Sequence, residues 1–315
     1  MLQKMFSETV GVAEAFLRIS LNSRSGSLNR ALLGASVTGA PFQVRREDGW
    51  AYAAATGDHH PAYNAPDGVA PPLFAVKPLA GPMSRLLLHR ELGMNFLRML
   101  HGEQSFTFHR PLRYGQIVVP GAVINGFREV RTGEILDMGL EIRAQHGEKL
   151  VSGTSSFFMT TRTREENVRV QATVPRGEEE GAGAPSLAPG AFTRAFETGP
   201  RQPLAYASAS GDRNPIHVNA LAARLAGLPR PIMHGLCMMA MAGREILAEA
   251  GAEPGSLREL SLRFSRTAFP GARYLVRGLT GPGGVLEFEV LDSRDRPVLS
   301  RGRARLGELT SWVST

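Results

Sequence analysis

Residues 206–247 of this 315-residue chain read YASASGDRNPIHVNALAARLAGLPRPIMHGLCMMAMAGREIL, from Tyr206 to Leu247. The opening YASASGD ends at Asp212 and repeats an earlier run, YAAATGD, which ends at Asp58. In both runs a proline follows three residues after the aspartate. A motif repeated in this way suggests that the chain contains two copies of one structural unit.

A second pair of matching motifs lies downstream of each aspartate. The tripeptide FHR begins at Phe108, fifty residues after Asp58, and FSR begins at Phe264, fifty-two residues after Asp212. A glycine follows seven residues after each of these phenylalanines. Because two independent motifs recur at nearly equal separations, we interpret the chain as an internal duplication.

The elements predicted within each copy define the fold class. Apolar spacing predicts one helix in each copy, and strand-like runs separated by glycine-containing turns predict four strands after it. Such a unit is α+β and leaves one apolar face uncovered, so two units side by side are expected. The predicted helices are Leu86–Leu100 and Gly235–Ala250, and the predicted strands are Gln104–Arg110, Ile117–Phe127, Ile135–Ala144, Leu150–Thr160, Leu257–Arg266, Arg273–Thr280, Val285–Leu291 and Val298–Leu306.

Composition marks the boundary between the copies. The segment VPRGEEEGAGAPSLAPG, from Val174 to Gly190, is rich in glycine, proline and glutamate and has almost nothing to bury. We interpret it as a linker between a first domain, residues 1–173, and a second domain, residues 191–315. Near the start of the chain, a short amphipathic helix is predicted by the helical spacing of Val10, Ala13, Phe16 and Leu17.

Asp212 and His217 are the strongest candidates for chemistry. They lie five residues apart around Pro215, which favours a turn and cannot donate a backbone hydrogen bond. Such a loop can bring a carboxylate and an imidazole to one water molecule. Histidine carries protons near neutral pH, and a positioned acid–base group contributes about 10²–10⁴-fold to a rate. The pair therefore predicts proton transfer involving a bound water.

The quoted segment resembles the signature of the MaoC-like, or hydratase 2, family of (R)-specific enoyl-CoA hydratases. That signature reads roughly Y-A-x-x-S-G-D-x-N-P-I-H, followed by P-I-x-H-G-L at the start of a central helix, and about a dozen residues agree. The first copy resembles the family's degenerate N-terminal hot dog through YAAATGDHHPAYN, APPLFA and HGEQSFTFHRPL. The resemblance covers most of the chain beyond about Pro41. It implies a double hot-dog fold, in which a curved antiparallel sheet wraps each central helix.

The resemblance also implies roles for individual residues. Asp212 and His217 would form the catalytic dyad that adds water to, or removes it from, an acyl thioester. Gly235 would expose a backbone N–H at the helix start to the thioester carbonyl, an oxyanion interaction worth about 10²–10³ in rate. Three further residues are expected to support the loop or the substrate: Asn214, Ser210 and His234. The first two are equally typical of plain turns. Which member of the dyad polarises the water stays open.

The first copy departs from this pattern. Asp58 matches Asp212, but Tyr63 stands in place of His217, and PPLF at residues 71–74 stands in place of HGL. The dyad is therefore broken in the first copy. The resemblance implies that this copy supplies packing surface and an enlarged acyl-binding tunnel.

No metal and no organic cofactor are expected. His59 and His60 are not accompanied by a second cluster with ligand spacing. The single cysteine, Cys237, lies in an apolar stretch and predicts a buried, inert thiol. The sequence contains no glycine-rich dinucleotide or phosphate-binding motif, and hydration needs no redox cofactor.

Charge and hydropathy limit the possible binding partners and the cellular location of the protein. A formal charge of +7 and a pI of about 10.1 come mostly from arginine, and the acidic residues are interspersed. A mixed surface is therefore favoured over nucleic-acid binding, and an arginine-lined entrance for a CoA or carrier phosphate is the main alternative. No stretch has the features of a signal peptide or a transmembrane helix, so we predict a cytoplasmic protein without membrane insertion.

The predicted partner is an acyl-CoA or acyl-carrier-protein thioester. The leading hypothesis is an (R)-specific 2-enoyl-CoA hydratase, or the same enzyme running as a 3-hydroxyacyl-CoA dehydratase. A 3-hydroxyacyl-carrier-protein dehydratase of fatty-acid or polyketide synthesis is the nearest alternative. A hot-dog thioesterase would share the fold but does not need the DRNPIH loop, and the intact dyad counts against a non-catalytic acyl-binding module. A homodimer is compatible with each hypothesis.

Overall fold

The computed structural model describes residues 27–65, 67–95, 99–160 and 190–307. The predicted helix near residue 10 lies outside these ranges, as does the predicted linker except for Gly190. The amphipathic helix and the proposed domain boundaries therefore stay predictions.

In both halves of the chain, strand and helical segments precede a run of four antiparallel strands. The elements of the first half are β1 (Ser36–Thr38), β2 (Phe42–Gln43), α1 (Arg46–Thr56), α2 (Val76–Leu87), β3 (Met99–Phe108), β4 (Ile117–Val130), β5 (Gly133–Ala144) and β6 (Lys149–Thr160). Those of the second half are β7 (Ala191–Glu197), α3 (Gln202–Ser210), α4 (Pro215–Val218), α5 (Ala220–Leu225), α6 (Gly235–Glu249), β8 (Leu257–Phe264), β9 (Arg273–Thr280), β10 (Val285–Leu291) and β11 (Pro297–Leu306).

One antiparallel sheet of 11 strands runs through both halves. Its order is β1-β4-β5-β6-β3-β8-β11-β10-β9-β7, with β2 paired to β4. β3 and β8 pair at the seam, where Ser105 lies opposite Ser261 and Glu103 lies opposite Arg263. The strand order on one side of the seam mirrors the order on the other, so an approximate two-fold axis relates the halves. The predicted duplication and the α+β double hot-dog architecture are confirmed.

The central helix of the second half confirms its prediction. The observed helix α6, Gly235–Glu249, ends one residue before the predicted range. It packs against β7, β8 and β11 and buries most of its length, including Cys237 and the methionines 238, 239 and 241. Burial raises the pKa of the Cys237 thiol, as expected for an inert core cysteine. In the described ranges, no helix combines the length and the apolarity needed to cross a membrane.

The helix predicted at Leu86–Leu100 is wrong. The first-half helix is α2, which lies earlier, and the described residues after it form a 3-10 turn, Arg90–Leu92, and the start of β3. The sequence does not predict α2 because the helix contains Pro78 and Pro82. A proline inside a helix removes a hydrogen bond and usually breaks the helix. The buried face of α2 packs on β4, and this tertiary packing overrides the local penalty.

The eight strand predictions are confirmed: β9 and β10 match their predicted bounds, and the other six strands differ at one or both ends. The largest difference is in β3, which begins at Met99, five residues before the predicted start. Its pairing with β6 shifts register between His101 and Glu103, so Gly102 is the extra residue of a β-bulge.

Candidate active site

The loop after α3 is held by its own side chains. The backbone N–H of Asp212 donates to Ser210 Oγ at 3.2 Å, and the N–H of Asn214 donates to Asp212 Oδ1 at 3.1 Å. The N–H of Ile216 donates to Asn214 Oδ1 at 3.3 Å and thereby caps α4. The structure thus places Ser210 and Asn214 where they hold the loop and fix the Asp212 carboxylate.

His217 lies on α4 and is only 9% exposed. Its Nδ1 lies 3.0 Å from the carbonyl oxygen of Ile232, and because a carbonyl can only accept, Nδ1 carries the proton. Nε2 therefore keeps its lone pair. Burial lowers the pKa of His217, although the Asp212 carboxylate opposes the shift. The ring is neutral at pH 7 and can take a proton from water.

His234 joins the Asp212 loop to the start of α6. It is buried, and its Nε2 lies 3.1 Å from the backbone carbonyl of Asp212, to which it donates. Its ring stacks on that of His217 with centroids 3.8 Å apart and an angle of 26° between the planes. Burial and the neighbouring His217 lower the pKa of His234 to about 3. His234 is therefore a neutral orienting residue in this geometry.

Asp212 is the charged group of the cluster. Burial alone raises the pKa of Asp212, but electrostatic interactions with His234 and His217 outweigh it, and the net shift is downward. The carboxylate is therefore ionised at neutral pH and can only accept hydrogen bonds. One ligand atom from each of the three side chains lies within 4.8 Å of the others. A carboxylate and an unprotonated imidazole at this separation can hold one water and move its proton.

The same three side chains could be considered as ligands of a metal ion. Three such groups within 4.8 Å satisfy the ligand count of a zinc centre. However, the imidazoles of His217 and His234 are stacked, so their in-plane lone pairs do not converge on one point. A shared ion would require at least one ring to rotate. The observed arrangement suits proton transfer better than metal binding.

His60, one of the two adjacent histidines of the first copy, lies outside this cluster. Its Nδ1 accepts a hydrogen bond from the N–H of Ala62, and its Nε2 lies 3.7 Å from a carboxylate oxygen of Glu253.

Gly235 is the first residue of α6 and directly follows His234. The N–H of a first helical residue has no acceptor within its own helix. A Cβ at Gly235 would lie 2.8 Å from the Phe264 ring, closer than any side chain can approach. The structure therefore adds a packing reason for glycine to the N–H that the sequence predicts as an oxyanion donor.

His101 was missed by the sequence reasoning, although it lies in the quoted motif HGEQSFTFHRPL. It belongs to β3 of the first half, yet its ring packs on Phe264 of the second half with centroids 4.6 Å apart. Burial lowers the pKa of His101 to about 4, although the Asp212 carboxylate opposes the shift. In the sequence His101 is only a histidine near the start of a strand. Its place beside the second half follows from the pairing of β3 with β8.

The first half contains a counterpart site at the equivalent place. Ala70 N–H donates to Leu112 carbonyl at 2.8 Å, as Met233 N–H donates to Ala268 carbonyl at 2.9 Å, and this pair of contacts aligns the two helix starts. Pro71 and Pro72 then correspond to His234 and Gly235. We call Asp58, Tyr63, Pro71 and Pro72 the counterpart site.

Two small cavities lie beside the counterpart site. Both are lined by Pro71, Pro72 and Leu257, and the smaller one also reaches Asp58. Neither of these two cavities borders Asp212 or the two histidines of the cluster. The chemistry of the side chains, and not the volume of a cavity, therefore identifies the candidate active site.

Comparisons with known proteins match a family model to each half of the chain. Residues 186–280 match the family model described as MaoC like domain, and residues 31–152 match the one described as FAS1-like, dehydratase domain region. A UPF0336 protein of a Parafrankia species is 33% identical over 140 residues, which are 41% of this chain and 93% of that protein. Peroxisomal enoyl-CoA hydratase 2 of Arabidopsis thaliana is 31% identical over 181 residues, 55% of this chain and 57% of that protein.

A solved structure extends the similarity across both halves. The crystal structure of a MaoC-like dehydratase from Phytophthora capsici superposes with a TM-score of 0.70 at 24% identity. The match covers 89% of this chain and 98% of that one. The two proteins therefore share the complete double-unit fold.

Proposed function

Because this chain belongs to the MaoC-like dehydratase family and is a hydro-lyase, we propose that it is an (R)-specific 2-enoyl-CoA hydratase that also runs in reverse as a 3-hydroxyacyl-CoA dehydratase. One observation carries the proposal. The side chains of Asp212, His217 and His234 each bring one ligand atom within 4.8 Å of the others, and His234 directly precedes Gly235, the first residue of α6.

The geometry supports a division of labour for hydration. Asp212 accepts a hydrogen bond from the water and holds it, while His217 Nε2 takes its other proton as the oxygen bonds to C3 of the enoyl thioester. The negative charge that reaches the thioester oxygen is met by the N–H of Gly235. The protonated His217 then gives the proton to C2, so that one water is added in total and the histidine returns to its neutral form. Dehydration is the same sequence reversed.

The first half contributes to the wall of this site. Lys77 of α2 donates from Nζ to the carbonyl oxygen of Ala209 at 2.9 Å, just before the loop that carries Asp212. A Cβ at Gly211 would lie 3.8 Å from the Cβ of Ala80, also on α2. The α2 helix therefore lies against the loop that carries Asp212. This contact supports the proposal that the first half shapes the acyl-binding tunnel.

The test uses the full chain and a panel of 2-enoyl-CoA thioesters of different acyl length. We expect the absorbance of the conjugated enoyl thioester to fall as water adds, and chiral chromatography to identify the (R)-3-hydroxyacyl product. The same acyl groups on a carrier protein distinguish a CoA enzyme from a carrier-protein dehydratase. Release of free CoA thiol would indicate a thioesterase instead, and an unchanged enoyl spectrum with every thioester would refute the hydratase.

A further inference from the structure

His101 reaches the candidate active site from the half that lacks the dyad. It lies in β3 next to the bulged residue Gly102, beyond Glu103, the last β3 residue paired to β8. A β-bulge re-aims the neighbouring side chain and is frequent beside active sites. Here the ring of His101 is packed between Phe157 at 4.7 Å and Phe264 at 4.6 Å.

This packing places His101 near both Gly235 and Asp212, the two groups between which the proposed reaction takes place. The Phe264 ring lies 2.8 Å from the point that a Cβ at Gly235, the proposed oxyanion donor, would occupy. On the other side, the Asp212 carboxylate raises the pKa of His101 against the larger effect of burial. His101 therefore lies beside the space between the oxyanion donor and the dyad, where an acyl thioester would react.

One nitrogen of His101 has no partner. Nε2 is shielded from solvent and makes no hydrogen bond to any described residue. A neutral imidazole carries one proton, and a nitrogen that holds it is a donor. With the proton on Nε2, this nitrogen is a buried donor that can reach a ligand oxygen. A buried polar atom without a partner is costly, so such a group calls for a ligand.

The two-fold axis shows that this histidine is specific to one site. Ser105 and Ser261 are equivalent at the seam, so His101 corresponds to Leu257 of β8. The bulge is duplicated as well, because β8 shifts register against β11 between Glu259 and Leu257. Leu257 lines both cavities beside the counterpart site. An imidazole thus faces the site with the dyad, and a leucine faces the site without it.

We propose that His101 is a substrate-contacting residue whose Nε2–H donates a hydrogen bond to the oxygen at C3 of a 3-hydroxyacyl thioester. In the hydration direction the same oxygen enters as the attacking water. The inference rests on the proposed function for the identity of the thioester. It makes each site a composite, with the loop and helix start from one half and the strand residue from the other.

Binding separates this contact from mere packing. The two ligands (R)-3-hydroxybutyryl-CoA and butyryl-CoA differ only by the hydroxyl at C3. Calorimetry measures the affinity of the full chain for each, and the ratio of the two affinities is the preference for the hydroxylated ligand. We expect His101→Phe, which keeps an aromatic ring but has no N–H donor, to weaken the preference for the hydroxylated ligand roughly five- to tenfold. His101→Gln keeps a side-chain N–H donor and should restore at least half of that preference. Butyryl-CoA affinity should change less than about twofold.

The matched control is Leu257→Met at the equivalent position, which should leave the preference unchanged. An unaltered preference in folded His101→Phe, or an equal loss of affinity for both ligands, would overturn the inference. If the parent protein binds both ligands but hydrates no enoyl-CoA, the proposed function fails while the binding preference still decides the role of His101. If the parent is an active hydratase and His101→Phe matches it, only this inference fails.

Discussion

Asp212 and Asp58 occupy equivalent places in the two repeats, but their partners differ. Five residues after Asp212, His217 holds a lone pair on Nε2 that is free to take a proton. Five residues after Asp58, the hydroxyl of Tyr63 donates to Asp58 Oδ2 at 2.7 Å. Burial and the nearby Asp58 raise the pKa of Tyr63, so that hydroxyl stays protonated. The first pair can act on a water, whereas the second pair satisfies itself.

The helix starts show the same difference in backbone chemistry. Gly235 has an N–H directed out of the first turn of its helix, but Pro72 at the equivalent position has no N–H. Proline is favoured at the first helical position because its fixed φ suits the helix and no hydrogen bond is lost. The first half therefore keeps the residue that favours the helix, and the second half keeps the donor. Equal folds thus support unequal chemistry.

The largest expected effect breaks the dyad itself. Asp212→Asn and His217→Ala should each lower kcat/KM for enoyl-CoA hydration about 10²- to 10⁴-fold, because each removes a group that acts on the water. Steady-state kinetics with circular dichroism checks both the rate and the fold.

The matched changes in the counterpart site are Asp58→Asn and Tyr63→Phe, and turnover should stay within a few-fold of the parent. A loss as large as that of His217→Ala in either of these variants would place chemistry in the first half. In that case the contrast between the two sites would be abandoned.

A smaller effect isolates the backbone donor. Gly235→Ala and Gly235→Pro both add a Cβ that meets the Phe264 ring, but only proline removes the N–H. The residue before it, His234, has ψ 131°, which a following proline accepts. We expect kcat/KM of the proline variant to lie about 10²-fold below that of the alanine variant. Equal activities of the two variants would mean that this N–H does not meet the thioester oxygen.

Local chemistry made the second half predictable. The DRNPIH segment encodes its own turn through Asp212, Asn214 and Pro215, so the loop geometry follows from residues close in sequence. The first-half helix was misplaced because Pro82 argues against a helix, while packing on the sheet decides its position. Propensity carries no information about that packing.

The long-range contacts of the site could not be predicted from the sequence. His101 lies 111 residues before Asp212, and only the pairing of β3 with β8 brings them to one site. The stacking of His217 on His234 likewise depends on two loops that meet beside α6. The contact of Gly235 with Phe264 depends on β8 lying next to that helix.

The smallest expected effect concerns pH and sharpens the contrast between His217 and Tyr63. Because burial lowers the pKa of His217 below its ordinary value of 6.5, the unprotonated ring persists into more acidic solution. The pKa of Asp212 is also lowered, so that carboxylate stays ionised, and Tyr63 stays protonated. We therefore expect kcat/KM for hydration to change less than about twofold between pH 8 and pH 6.5, and to decline only below pH 6.5 as His217 becomes protonated. Initial rates in a series of overlapping buffers give kcat/KM across this pH range. Tyr63→Phe is the control, and it should reproduce the parent profile. A decline centred at or above pH 6.5 would show that the group accepting the proton is not the buried imidazole of His217.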